Sequence, residues 1–220
     1  DRESNIDNLV GLRDEMIDIK EYTQIYIEEN IWIRNLYNQL YQKWEIESDS
    51  VFLFLDESDG QFYSPISFYN NYNPFNPPRV NFDAIKLDGT FRLMPKEVGL
   101  KMTDIYDGTE LRYLIENTGK NEERYVQQFV DRIANKWVYE LPWVDVDYNE
   151  FWIENRKYIQ EDKFVKYNLY KRIDLWEYSI KEQLQNYKNS LNEGAKMLDS
   201  VITVRDSEFE LIWWVLNPKD

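Results

Sequence analysis

The chain has 220 residues, of which 43% are hydrophobic and only seven each are Gly and Pro, a composition typical of a folded protein. Acidic residues number 41 against 26 basic ones, and the resulting formal charge of -15 disfavours direct binding to nucleic acid or to anionic lipid. The absence of Cys and His excludes disulfides, thiolate chemistry, His-based triads and the zinc sites that need these ligands.

Residues 6–44 predict one long helix. Apolar side chains recur at alternating steps of three and four residues, the period of a coiled-coil seam. At 1.5 Å per residue this helix would reach about 60 Å, which predicts an elongated molecule. Thr23 and Asn30 are its polar members, and either they are buried or the seam faces water there. The predicted seam comprises Leu9, Leu12, Met16, Ile19, Thr23, Tyr26, Asn30, Ile33, Tyr37, Leu40 and Trp44.

A second set of apolar residues lies beside this seam. These residues widen the predicted apolar face of the helix, so we expect it to pack against at least two other helices. They are Ile17, Ile25, Ile27, Ile31, Trp32 and Leu36.

Between residues 47 and 94 the helical period fails, and we expect an irregular capping segment. Residues 51–55 favour a short helix, with a strand as the alternative. Three prolines and four asparagines in residues 68–78 predict a loop. Residues 79–87 predict a short helix with Val80, Ala84 and Leu87 on one side, ended by Gly89 in the left-handed conformation.

Two further long helices are predicted. The first spans Pro95–Tyr139, with Pro95 as its first residue, and Gly108 and Gly119 predict a bend or break near 117–121. After a loop and a short helix near 150–158, the second spans Asp162–Thr203, where apolar residues step by three, four and four. Residues 209–216 form an apolar tail that is either helix or strand.

The sequence therefore predicts an all-α fold, an elongated antiparallel bundle with three long helices, short capping helices and an Asn/Pro-rich loop. We expect one domain over residues 1–220. Its parts are helix 1 (1–46), the irregular segment (47–94), helix 2 (95–141), a short helix with helix 3 (143–204) and the tail (205–220).

The stretch from Tyr72 to Met94, YNPFNPPRVNFDAIKLDGTFRLM, resembles the central motif of an uncharacterised family of bacterial membrane-anchored proteins. The resemblance extends over residues 5–203 and departs from the family pattern at Asp88 and Pro95. It implies one transmembrane helix before Asp1 and a helical domain in the periplasm, with a cytoplasmic location as the alternative. It supplies no catalytic residues. The motif positions are filled by Phe82, Ile85, Gly89, Phe91 and Met94.

The sequence contains no complete motif for metal or cofactor binding. Asp145 to Asn149 begins like a calcium loop, but Glu150 and Arg156 replace the required Gly and Glu. Residues 56–60 form a weaker acidic turn. Phosphate-binding glycine loops and nucleophile elbows are absent from the sequence. We therefore expect no cofactor and no enzymatic activity, with a carboxylate-based hydrolase as an alternative.

Large aromatic residues in irregular or terminal segments suggest a surface that contacts a protein partner, since interfaces are enriched in such residues. We expect a non-enzymatic interaction or sensory module whose partner is another protein or a second copy of this chain. The alternative function is that of an acidic inhibitor or immunity-type protein in the cytoplasm. The opposing interpretation is that these side chains only cover the ends of the bundle. The candidate residues are Tyr69, Tyr72, Phe75, Pro77, Trp213 and Trp214.

Overall fold

The structure is a computed structural model, and it describes residues 2–43, 54–55, 62–63, 72–134 and 161–216. Nearly all of these residues are helical, which confirms the predicted all-α class. The helices are α1 (Arg2–Lys43), α2 (Val80–Asp88), α3 (Lys96–Asp107), α4 (Thr109–Glu116), α5 (Glu122–Ala134), α6 (Lys163–Leu175) and α7 (Lys181–Leu216). A short 3₁₀ helix spans Thr90–Leu93, and π-helical turns span Asn117–Asn121 and Trp176–Ile180.

The seam of α1 is buried as predicted from Leu9 to Asn30 and again at Tyr37, whereas Ile33 is half-buried. Thr23 is buried and its hydroxyl donates to the Ile19 carbonyl at 2.7 Å, so it is satisfied within its own helix. The alternative that the seam faces water at Thr23 and Asn30 is wrong. Leu40 has no described side chain, and Trp44 lies outside the described residues.

The wider apolar face predicted beside the seam is mostly wrong. Ile17, Ile25, Ile31 and Trp32 are exposed, while Ile27 and Leu36 are half-buried. Polar side chains occupy part of the flank that packs inward, among them Glu15 and Arg34, which are buried. The packed face of α1 therefore includes charged positions that hydrophobic periodicity does not detect.

In the first apolar segment after α1, the described residues Phe54 and Leu55 form strand rather than the favoured helix. Strands β1 (Phe54–Leu55) and β2 (Phe62–Tyr63) pair antiparallel, with Phe54 opposite Tyr63 and Leu55 opposite Phe62. A five-residue apolar segment is too short to show a helical period, and its aromatic residues suit a strand. The acidic turn predicted at 56–60 lies outside the described residues.

The predicted helix 2 is divided into α3, α4 and α5. Gly108 separates α3 from α4, and a Cβ placed there would collide with the carbonyl oxygen of Asp104. The π turn at Asn117–Asn121 is where a bend or break was predicted. Pro95 precedes α3 instead of being its first residue, and its carbonyl accepts the Gly99 N–H at 3.0 Å. The predicted continuation from 135 to 141 and the short helix at 150–158 lie outside the described residues.

The last helical stretch begins as predicted. The side chain of Asp162 caps α6 by accepting the Phe164 N–H at 3.0 Å. The predicted apolar residues are buried from Trp176 to Ile202, and α7 continues to Leu216, so the tail at 209–216 is helix. None of the described helices has the length and apolarity needed to cross a membrane.

Contacts divide the chain into two compact units, each built from separate stretches of sequence. Unit 1 contains Asp1–Tyr26, Asn76–Tyr113 and Gln183–Asp220; unit 2 contains Ile27–Phe75 and Leu114–Glu182. The core of unit 1 includes Leu12, Met16, Met102, Ile105, Leu191 and Leu198. The core of unit 2 includes Tyr37, Leu114, Phe129, Leu169 and Trp176.

Gly89 ends α2 with φ 87°, which confirms the predicted left-handed cap. A Cβ at this position would meet no atom within 4 Å, so a side chain is opposed only by the backbone conformation. We expect Gly89→Ala to lower the free energy of unfolding by about 1 kcal/mol, because an L-residue with this φ is strained. Gly89→Asn should cost less, since Asn tolerates this conformation better. Urea denaturation measures both, and an unchanged midpoint for Gly89→Ala would contradict the cap.

Candidate functional site

The residues predicted to contact a partner are only partly accessible. Phe75 is 0% exposed, Pro77 is also buried, and the Phe75 N–H donates to the Thr118 hydroxyl at 2.8 Å. The prediction of a surface role is therefore wrong for Phe75 and Pro77, whose apolar atoms are covered by their own chain. Tyr72 is 37% exposed and stays a candidate. Tyr69 lies outside the described residues, and Trp213 and Trp214 lie in α7 without described side chains.

A polar row on α1 instead organises the segment that leads into α2 and out of it. Asn8, Glu15 and Tyr22 are seven residues apart and so lie on one side of the helix. The Tyr22 hydroxyl accepts the N–H of Asn76 at 3.2 Å. At the other end, Asn8 Nδ2 donates to Asp88 Oδ2 at 2.6 Å and to the Thr90 hydroxyl at 3.1 Å. Residues 76–90 therefore run along α1 in the opposite direction.

Glu15, at the middle of this row, caps the N-terminus of α2. The residue at the N-cap position of α2, Arg79, makes no side-chain cap hydrogen bond. The Glu15 carboxylate accepts the Asn81 N–H at 2.6 Å through Oε2 and the Phe82 N–H at 3.2 Å through Oε1. Backbone N–H groups at a helix start have no intrahelical partner, and a negative charge there is favourable. Glu15, a residue of α1, therefore replaces the side-chain cap that Arg79 does not provide.

Tyr106 of α3 completes the surroundings of Glu15. Its hydroxyl donates to Glu15 Oε1 at 2.9 Å, and its ring stacks on Phe82 with centroids 4.2 Å apart and planes 5° apart. Burial raises the pKa of Tyr106 well above its usual value, and the charge of Glu15 and the hydrogen bond to it raise the pKa further. The hydroxyl therefore remains a proton donor to Glu15 at neutral pH. Among the described residues, three donors therefore reach the Glu15 carboxylate.

Charged side chains join α2 to the end of α3. Arg79 bonds to Asp83 at 2.9 Å and to Asp107 at 3.0 Å, and Lys86 reaches the other oxygen of Asp107 at 3.0 Å. The hydrogen bonds from Arg79 lower the pKa of Asp83. Because these groups are largely exposed, each pair contributes little stability by itself. Their shared partner Asp107 nevertheless ties two positions of α2 to one point on α3.

The consequence for α2 is that one apolar face points inward and the opposite one points outward. Phe82 and Ile85 are buried, whereas Val80 is 74% exposed and Leu87 is 89% exposed, with Ala84 exposed between them. Val80, Ala84 and Leu87 share one side of the helix as predicted, and that side faces outward because Glu15 and the stack on Tyr106 turn Phe82 inward. We call Val80, Ala84 and Leu87 the outer face of α2.

Sequence reasoning missed Glu15, although two signals pointed to such a residue. Position 79 carries Arg where Ser, Thr, Asp or Asn is preferred, so the start of α2 lacked a local acceptor. The heptad spacing of Asn8, Glu15 and Tyr22 placed polar groups in register beside an apolar seam. Neither signal identifies which carboxylate meets which helix.

Within the described part of the chain, no group of three or more acidic residues is placed to hold a metal ion. The buried carboxylates Glu15, Glu122 and Asp162 are all engaged. Glu15 caps α2, Glu122 accepts from two arginines, and Asp162 accepts from Arg132 and from the Phe164 N–H. The calcium-like stretch at 145–150 lies outside the described residues. Comparison with family models, with curated proteins and with solved structures found no match.

The cap predicts a specific cost for a near-isosteric change at Glu15. In Glu15→Gln one carboxylate oxygen becomes an NH₂ group, which must face the N–H of either Asn81 or Phe82. We expect the free energy of unfolding to fall by about 1–3 kcal/mol, the cost of leaving a buried donor without an acceptor. Chemical denaturation measures the change.

Glu21→Gln is the matched control, because Glu21 is an exposed residue of the same helix. Its expected effect is within about 0.5 kcal/mol. Equal stabilities for the Glu15 and Glu21 variants would contradict the assignment of Glu15 as the cap.

Proposed function

We propose that this chain is a non-enzymatic module that binds a protein partner, with the outer face of α2 as the contact surface. The supporting observation is that Val80, Ala84 and Leu87 form an apolar row at i, i+4 and i+7, on a helix whose opposite face is packed against its own unit. Such a row is the pattern by which a helix docks into an apolar groove. Exposed single apolar residues are common, whereas contiguous exposed apolar surface is typical of contact sites.

The way α2 is held supports this proposal. The Glu15 cap, the Phe82–Tyr106 stack and the contacts of Arg79 and Lys86 with Asp107 hold the helix from its inner side and its edge. Binding to a surface that is already ordered costs less conformational entropy than ordering it on contact. The charged residues Arg79, Asp83 and Lys86 border the apolar row on one edge, like the polar rim of a protein interface.

The cellular setting is part of the proposal and is supported by the resemblance of residues 72–94 to the motif of a membrane-anchored family. On that basis the module acts outside the cytoplasm, on the periplasmic side of the membrane. The second candidate, an acidic inhibitor or immunity-type protein in the cytoplasm, is favoured by the formal charge of -15. The salt dependence of binding distinguishes these two candidates, because affinity that depends on charge falls steeply with ionic strength and apolar docking does not.

The decisive variant removes apolar area from the outer face without touching the inner one. We expect Val80→Ser with Leu87→Ser to leave the melting temperature nearly unchanged, because both side chains are exposed. Burying a Val or Leu side chain contributes about 1.5–3 kcal/mol, so we expect affinity for the partner to fall at least about tenfold. A photo-reactive amino acid in place of Ala84 would capture the partner in cells, and interferometry with the purified partner would give the affinities.

Leu100→Ser with Val204→Ser is the matched control, since these are also exposed residues of unit 1 with the same chemistry. The control should bind like the unmodified chain. Equal affinity for both double variants would refute the outer face as the contact surface. Binding that disappears with added salt in both would instead support the acidic inhibitor.

A further inference from the structure

The C-terminal end of α7 is apolar on every side of the helix axis. Its last six residues, 211–216, read LIWWVL, and Glu210 is the last charged residue before them. Consecutive positions of an α-helix are about 100° apart, so six of them surround the axis. A helix that is hydrophobic all round is ordinarily enclosed by apolar material, either a protein core or lipid. We call residues 211–216 the apolar end of α7.

Two hydrogen bonds set the register of α7 against α1 within unit 1. Arg13 Nη1 donates to Asp199 Oδ1 at 3.2 Å, and Lys188 Nζ donates to Gln24 Oε1 at 2.5 Å. Between these contacts α1 advances by eleven residues and α7 goes back by eleven, so the two helices are antiparallel. The same register places Arg2, where the described α1 begins, level with position 210 of α7. The apolar end of α7 therefore extends past the described length of α1.

Contacts with α3 give the same result for another neighbour of α7. Lys101 Nζ bonds to Glu193 at 2.8 Å, and Arg205 Nη2 donates to the carbonyl of Leu93 at 2.6 Å. α3 therefore also runs antiparallel to α7, and its first residue, Lys96, lies between these two levels. Leu93 is 56% exposed, so the surface at the level of Arg205 is open to solvent. Among the described residues of unit 1, neither α1 nor α3 reaches the apolar end of α7.

The chemistry of this end favours lipid over a second copy of the chain or a protein groove. A groove or one partner helix covers only part of the circumference of a helix, whereas acyl chains surround it. A second copy would bring another formal charge of -15 to the contact, which opposes association. At 1.5 Å per residue the apolar end is about 9 Å long, comparable with the about 5–10 Å to which interfacial helices are buried. Trp213 and Trp214 are of the residue type that is enriched at membrane surfaces.

We propose that the apolar end of α7 inserts into the surface of an electrically neutral lipid bilayer. The negative charge of the chain disfavours anionic lipid, so the headgroups are zwitterionic, as in phosphatidylcholine. Insertion leaves Glu210 and the charged residues before it on the aqueous side. The helix enters one face of the bilayer without crossing it, in keeping with the length and polarity of the described helices. This contact is independent of the outer face of α2, which involves other residues.

Flotation of the purified chain with phosphatidylcholine vesicles in a density gradient tests the insertion. We expect the unmodified chain to float with the vesicles. Trp213→Ser with Trp214→Ser should lower the partition coefficient at least about tenfold, because it removes two large apolar side chains from the inserted end. The melting temperature without lipid checks that this double variant is folded. Leu100→Ser with Tyr113→Ser is the matched control, since both are exposed residues of unit 1, and it should float like the unmodified chain.

A second measurement needs no variant. Bromine on the acyl chains quenches nearby tryptophan, so vesicles of brominated phosphatidylcholine should quench part of the fluorescence of the unmodified chain. An unmodified chain that stays at the bottom of the gradient, or a double tryptophan variant that floats equally well, would overturn the proposal. A dimer in sedimentation velocity without lipid that Trp213→Ser with Trp214→Ser dissociates would also overturn it, because a second copy would then cover the apolar end.

Discussion

The carboxylate of Glu15 faces three donors that come from two other elements, the N–H groups of Asn81 and Phe82 and the hydroxyl of Tyr106. A buried carboxylate is tolerated only when its charge is well compensated, and here the start of α2 supplies both hydrogen bonds and a favourable dipole. The same contacts fix the rotation of α2 about its axis. Phe82 therefore packs on Tyr106, and Val80 and Leu87 are left on the outside.

Unit 2 also has a buried carboxylate, Glu122, and its hydrogen-bond donors are charged. Glu122 receives two guanidinium groups, whereas Glu15 is matched by neutral donors and a helix start. Replacing a buried ion pair by apolar residues is often neutral or stabilising, which makes stability alone a weak reason to keep such a cluster. In each unit, one buried acidic side chain bonds to neighbouring helices: Glu15 to the start of α2, and Glu122 to Arg34 of α1 and Arg172 of α6.

Periodicity predicted what depends on local spacing. The buried seam from Leu9 to Asn30 and the buried row from Trp176 to Ile202 follow directly from apolar residues placed on one side of a long helix. The glycine near Asn117 likewise predicted the position of the first π turn. These features can be predicted without knowing which element packs against the helix, because any packed element would bury the same face.

The orientation of α2 could not be predicted in this way. The helix has nine residues and is apolar on two opposite faces, so its sequence fits either rotation. The choice depends on Glu15, 66 residues before Asn81 in the chain. Arg34 was missed for a related reason, since a charged residue beside a seam is ordinarily solvated and only the fold shows that Glu122 meets it. Phe75 and Pro77 were misassigned because an irregular backbone gives no period from which burial can be inferred.

The central claim is that Glu15 holds the first turn of α2 in place, and amide hydrogen exchange of Asn81 and Phe82 tests it directly. N–H groups in the first turn of a helix usually exchange quickly because they lack an intrahelical acceptor. If the Glu15 carboxylate accepts them, their exchange should be slowed to within about tenfold of a buried amide in the middle of α3, such as Ile105. Exchange at the rate of an unstructured peptide at both positions would contradict the account.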